Sequence, residues 1–130
     1  MPCTMDILVV SPRAELWQSL RPQFEKHGAV LSLACCMNDA LSTLNRHRPT
    51  LVVLDINADN AALRHAVFQV LSVNAMIHTA AVTSMTPEAF HDAMEGLGML
   101  TSLPMQPSAA DVDRLMDALQ AMNEIGRAHV

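Results

Sequence analysis

The stretch Thr50–Asn57, TLVVLDIN, carries an apolar run to one carboxylate, Asp55, with Asn57 two residues on. A carboxylate at the tip of a buried strand can act as a nucleophile towards a phosphoryl group. It can equally be a solvated side chain or the cap of the helix that follows. Other chemistry-bearing groups are sparse. The histidines at 27, 47, 65, 78, 91 and 129 form no HxH or HxxxH pair and have no carboxylate cluster beside them in the chain, so no metal site is expected. Nothing around His47 or His65 marks a phosphohistidine relay. Cys35 and Cys36 are adjacent and Cys3 stands alone, which makes neither a disulfide framework nor a CxxC site. Buried reduced thiols are expected. There is no GxGxxG and no GxxxxGK[ST], which removes nucleotide-binding relatives, and SPRAEL after the first apolar run is a poor phosphate loop for a flavin.

The elements that would hold Asp55 follow from two alternating periods. DILVV (6–10), AVLSLAC (29–35), LVVLDI (51–56), TAAVT (79–83) and MLTSL (99–103) have strand length, and the stretches between them have helical spacing. LVVLDI is apolar on both faces, as an interior parallel strand covered on each side must be. Ser11-Pro12 reads as an N-cap followed by Pro in the first helical position, and Thr86-Pro87-Glu88 repeats that signal. Ser108 and Asp111 resemble a capping box with Asp in place of Glu. In the last helix Val112, Leu115, Met116, Leu119 and Met122 form one apolar stripe. Gly28 and Gly98 fall after the first and fourth helices. Pro22 should kink or divide the first helix.

A strand–helix unit repeated five times in 130 residues implies one domain with a parallel sheet and helices on both faces. A short extension (1–5) and tail (126–130) flank it. Right-handed crossovers put Asp55, Ser11, Thr83 and Leu103 at the carboxyl ends of the strands, where such sheets carry their sites. The net charge of −5 argues against non-specific nucleic-acid binding. No apolar run reaches the ~20 residues that cross a bilayer, and MPCTMDILVV has no signal-peptide pattern, so a soluble cytoplasmic protein is expected.

In register, these segments resemble the receiver domain of two-component response regulators over nearly the whole chain. ILVVSPRAEL is similar to that family's first strand and turn, PTLVVLDIN to its phosphoacceptor strand, AAVTS to its fourth strand, and GLGMLTSLPMQP to the approach to its fifth. The resemblance implies a flavodoxin-like sheet in the order 2-1-3-4-5. It makes Asp55 the phosphoacceptor position and Thr83 the signalling hydroxyl. Asn57 matches the position whose backbone carbonyl completes a Mg²⁺ site, so Asp55 and Asn57 are the metal positions if Mg²⁺ binds.

The rest of that machinery is degenerate. Ser11 and Pro12 stand where the metal-binding acidic pair belongs, Leu103 replaces the lysine, and Leu100 replaces the switching aromatic. Lys26, the only lysine, ends the first helix, so no local shift of alignment restores it. Arg13 is the residue placed to swing over Asp55 and supply the missing positive charge; otherwise it is a solvated arginine in a first helical turn.

The reading is an atypical receiver-like signalling domain, not an enzyme and without a cofactor, that works by protein–protein contact with Mg²⁺-dependent phosphorylation lost. Its partner would be a sensor kinase or a downstream effector. Homodimerisation would use helix 4 (87–97), strand 5 (99–103) and helix 5 (109–125). One alternative is a working receiver phosphorylated on Asp55 by a histidine kinase. Another is a small-molecule binder using the strand-end crevice made apolar by Leu103. Neither nucleic acid nor membrane is an expected partner.

Overall fold

The computed structural model describes residues 5–57 and 59–128, with side chains through 122. Five strands, β1 (Met5–Val10), β2 (Ala29–Ala34), β3 (Leu51–Leu54), β4 (His78–Val82) and β5 (Thr101–Leu103), alternate with five helices. These are α1 (Ala14–Lys26), α2 (Met37–Arg46), α3 (Asn60–Val73), α4 (Pro87–Ala93) and α5 (Ala109–Ala128). All strand pairs are parallel, and the sheet order is β2-β1-β3-β4-β5, as expected.

Strand parity divides the core in two. Ile7, Val9, Leu51 and Val53 pack with Trp17 and Phe24 of α1 and with Val112, Leu115, Met116 and Leu119 of α5. Leu8, Val10, Val52 and Leu54 pack on the other face with α2, α3 and α4. Every residue of β3 is buried, which is what an apolar run on both faces predicts.

Thr86 caps α4 as expected: its hydroxyl accepts the Ala89 amide at 3.2 Å, with Pro87 opening the helix. Thr86→Ala should lower stability by about 1 kcal/mol, read as a shift of the urea midpoint at constant slope. Asp111 reaches back to the Ser108 amide at 2.8 Å, but it also takes the Ser108 hydroxyl at 3.0 Å, so half of a capping box forms.

Several expectations shift. Helix α1 begins at Ala14 with Arg13 as its N-cap residue, so Ser11-Pro12 is not its cap and Ser11 is free for another use. Pro22 lies within a helix that remains continuous from Ala14 to Lys26. Gly28, at φ 77°, follows α1, whereas α4 stops at Ala93, with Gly96 in the turn beyond it and Gly98 in the irregular segment that leads to β5. Met122 is exposed and leaves the α5 stripe. The sequence-read tail overlaps α5, which runs to Ala128; residues 1–4 and 129–130 lie outside the described residues.

Candidate functional site

The side-chain parity that buries Leu51 and Val53 towards α1 carries one step further to Asp55, and the parity of Ile7 and Val9 carries to Ser11. Backbone bonds extend both ladders past the strand ends: the Asp55 amide donates to the Val10 carbonyl and the Ser11 amide to the Ala34 carbonyl, each at 2.8 Å. Asp55 and Ser11 are thereby directed at the start of α1, and both are buried.

Four donors converge on Asp55. Oδ2 accepts the Ser11 hydroxyl at 2.7 Å, Arg13 Nε at 2.9 Å and Trp17 Nε1 at 3.0 Å. Oδ1 accepts Arg13 Nη2 at 2.9 Å. Arg13 therefore grips the carboxylate with two parallel bonds, the geometry a guanidinium is shaped for. Its third nitrogen, Nη1, donates to the Met105 carbonyl at 2.9 Å and so ties the β1–α1 turn to the loop after β5. Ser11 Oγ also accepts the Arg13 amide at 2.9 Å, which fixes the turn that presents the arginine.

Burial raises the pKa of Asp55, since a charged carboxylate loses its water there. The bonds from Arg13, Ser11 and Trp17 and the guanidinium charge outweigh it, so the group titrates below the ordinary aspartate value. Asp55 is an anion with its solvation replaced by protein donors. Among the described residues no buried side-chain nitrogen or oxygen lacks a partner.

No protein-family model matches the sequence, and no curated protein matches it. Solved structures do. A response regulator from Thermotoga maritima is 13% identical at a TM-score of 0.79, covering 91% of this chain and 99% of its own. A two-component response regulator from Legionella pneumophila is 21% identical at 0.70, covering 90% and 98%. A response regulator protein from Burkholderia pseudomallei, with a phosphorylated aspartic acid, calcium ion and citrate, is 12% identical at 0.69, covering 97% and 75%. The chain has the receiver fold.

On that receiver fold the sequence-read positions separate. Arg13 and Ser11 join Asp55; Thr83 does not. The Thr83 hydroxyl accepts the Met85 amide at 3.1 Å, and its own amide donates to the Leu103 carbonyl at 2.9 Å. Thr83 lines a cleft of about 100 Å³ with Asn57 and Met105. Asn57 is exposed at φ 49°, a left-handed conformation that asparagine tolerates better than most residues. Leu103 is buried in the core shared with α5, where a lysine would carry an unpaired charge, and Leu100 packs on the edge of the same core. Pro12 is exposed and offers no side-chain donor. The residues around Asp55 do not fit Mg²⁺, which asks for oxygen ligands. They contribute a cation, a hydroxyl and an indole N–H to a carboxylate already engaged at both oxygens.

Two participants were not read from the sequence, Trp17 and the Met105 carbonyl. A signal for Trp17 existed: a buried indole needs an acceptor for its N–H, and Trp17 lies one helical turn beyond Arg13. The cysteine expectation is corrected, because Cys35 and Cys36 are exposed. They follow β2 at the sheet edge, beyond the helices that cover it. The Cys35 thiol donates to Asp39 Oδ2 at 2.7 Å; that bond, more than any other cause, pushes its pKa up to about 11. Two histidines anchor elements. His27 Nε2 lies 2.8 Å from an Asp113 oxygen that Gln23 Nε2 also reaches at 2.6 Å, joining α1 to α5, and His47 Nε2 lies 2.9 Å from Asp6.

Proposed function

We propose that this chain is a receiver-like signalling domain that acts through contact with a protein partner, and that Asp55 is a structural anion in it, not a phosphoacceptor. The observation that carries this reading is the Arg13 fork across both carboxylate oxygens, backed by Ser11 and Trp17. An acyl phosphate forms when a free carboxylate oxygen attacks phosphorus while cations neutralise the phosphoryl charge. Here Oδ2 already holds three donors, Oδ1 holds one, and Leu103 stands at the position where a lysine would be needed. Arg13 supplies internally the positive charge that metal and lysine would otherwise bring, so Asp55 needs no metal ion beside it and carries no phosphoryl chemistry.

The proposed contact surface comprises α4, β5 and α5, whether the partner is a kinase, an effector or a second copy of the chain. A groove of about 520 Å³ between α4 and β5, lined in part by Phe90, Met94, Met99 and Leu100, supports this choice with apolar and adaptable side chains. Among the described residues no helix is long and apolar enough to cross a membrane.

The test is amide NMR with Mg²⁺ and beryllofluoride, a phosphoryl mimic. The expected outcome is an unchanged spectrum around Asp55 and Thr83. Shifts clustered there, and abolished by Asp55→Asn, would instead make the chain a working phosphoacceptor receiver.

A further inference from the structure

Where β2 passes into α2, three ligand-type side chains that take no part in the Asp55 cluster converge on the surface. The Sγ atoms of Cys35 and Cys36 are 3.9 Å apart, and Cys35 Sγ lies 2.7 Å from Asp39 Oδ2. One ligand atom from each of the three lies within 4.8 Å of the other two. The chain path explains the convergence. Cys36 is the extended residue before α2, and Asp39 lies in the first turn of that helix, three and four residues on, so its carboxylate returns over both thiols.

We propose that Cys35, Cys36 and Asp39 bind a borderline-soft divalent cation of the zinc class, with the fourth position open to solvent. A tetrahedral ion with Zn–S near 2.3 Å and Zn–O near 2.0 Å sets its two sulfurs about 3.8 Å apart and each sulfur about 3.5 Å from the oxygen. The thiol pair already has that spacing. Asp39 has to retreat from Cys35 by under ~1 Å, from the distance that a shared proton holds to the one an ion between the ligands requires, and it already lies within 4.8 Å of Cys36. Two sulfur ligands select against Mg²⁺ and Ca²⁺, which want oxygen throughout. Two thiolates and a carboxylate leave one negative charge uncompensated by a divalent ion. Arg46 lines the adjoining groove of about 460 Å³ together with Cys35 and Asp39, which puts a permanent cation in the same groove as that surplus.

The experiment is an anaerobic titration of the full chain with Co²⁺ in a thiol-free reductant. One equivalent should produce a thiolate-to-cobalt charge-transfer band with the visible bands of tetrahedral cobalt, and Zn²⁺ should displace both. Cys35→Ser and Cys36→Ser should each abolish the tetrahedral spectrum. Asp39→Asn should weaken binding at least ~10-fold, since even a supporting group outside the ligand set has that effect at a metal site. Cys3→Ser should leave the titration unchanged. All three ligands are exposed, so each variant should keep the wild-type far-ultraviolet spectrum, which separates loss of the site from loss of fold. Absence of the charge-transfer band in the wild type would overturn the proposal. So would its survival in Cys35→Ser or Cys36→Ser, or an end point at half an equivalent, which would mark an ion bridging two chains.

Discussion

Arg13→Ala is expected to lower the folding stability by about 2–4 kcal/mol at neutral pH and to raise the pKa of Asp55. Breaking a buried ion pair by removing one partner typically costs about 3–5 kcal/mol because the other charge stays behind in low dielectric. The lower range is used because the Arg13 side chain is 31% exposed, although Asp55 is only 5% exposed, and Ser11 and Trp17 still donate to the carboxylate. For a domain of this size the loss corresponds to roughly 10 °C in melting temperature. The pH dependence gives a sharper test. In the wild type the folded-state pKa of Asp55 is depressed, so its contribution is present above the unfolded value and disappears as pH falls through the folded value. In Arg13→Ala, burial outweighs the remaining donors and protonation relieves the stranded charge. The stability gap between the two proteins should therefore begin to narrow above about pH 4, as pH falls through the variant's raised Asp55 value, and should narrow further below it as the wild type loses its own contribution. Carboxyl carbon NMR of Asp55 reads the pKa directly, and an identical titration in the two proteins would disprove the clamp. Arg13→Lys should not rescue, because one ammonium cannot span both Asp55 oxygens and the Met105 carbonyl. Arg13→Ala combined with Asp55→Asn should be less destabilised than the sum of the single changes, since the neutral amide leaves no charge to strand.

Replacing Trp17 should have the largest effect on stability of any site residue, and two substitutions divide the cause. Trp17→Ala removes a fully buried ring from the core that α1 shares with α5, 6.5 Å from the Phe24 ring, at an expected cost of about 3–5 kcal/mol. Trp17→Phe keeps most of the packing and removes the N–H to Asp55, costing about 1–2 kcal/mol, with a small rise in the Asp55 pKa. Denaturant unfolding measures both. A Phe variant as unstable as the Ala variant would mean that the indole bond, not the ring, dominates. Trp17 is the only tryptophan, so its fluorescence reports on the carboxylate it touches. In the wild type the emission should change as Asp55 titrates in acid, and that transition should move to higher pH in Arg13→Ala.

These predictions concern a cluster that was only partly visible in the chain. Asp55 was legible because an apolar run on both faces can end in one way, with its polar residue at the strand tip. Arg13 was legible as a charge at the right turn, though nothing local distinguished a clamp from a solvated side chain. Trp17 was not legible as a site residue: helical spacing marks it as core, and its N–H faces Asp55 only because α1 packs across the end of β3. The cysteines misled for a related reason. Cysteines without a pairing pattern are expected inside as small hydrophobes, but β2 is the edge strand and Cys35 lies exposed past its end.

Apolar periodicity in the sequence determined the five strands and five helices, and the resemblance they carry implied the sheet order and the lack of a lysine at the position Leu103 holds. Those are local properties, set by which faces of each segment are apolar and where the backbone can turn. The tertiary structure decided what surrounds Asp55. The residues that bind it come from positions 11, 13 and 17, about forty residues away in the chain, and whether a buried carboxylate is a nucleophile or a held anion depends on the donors that fold across it.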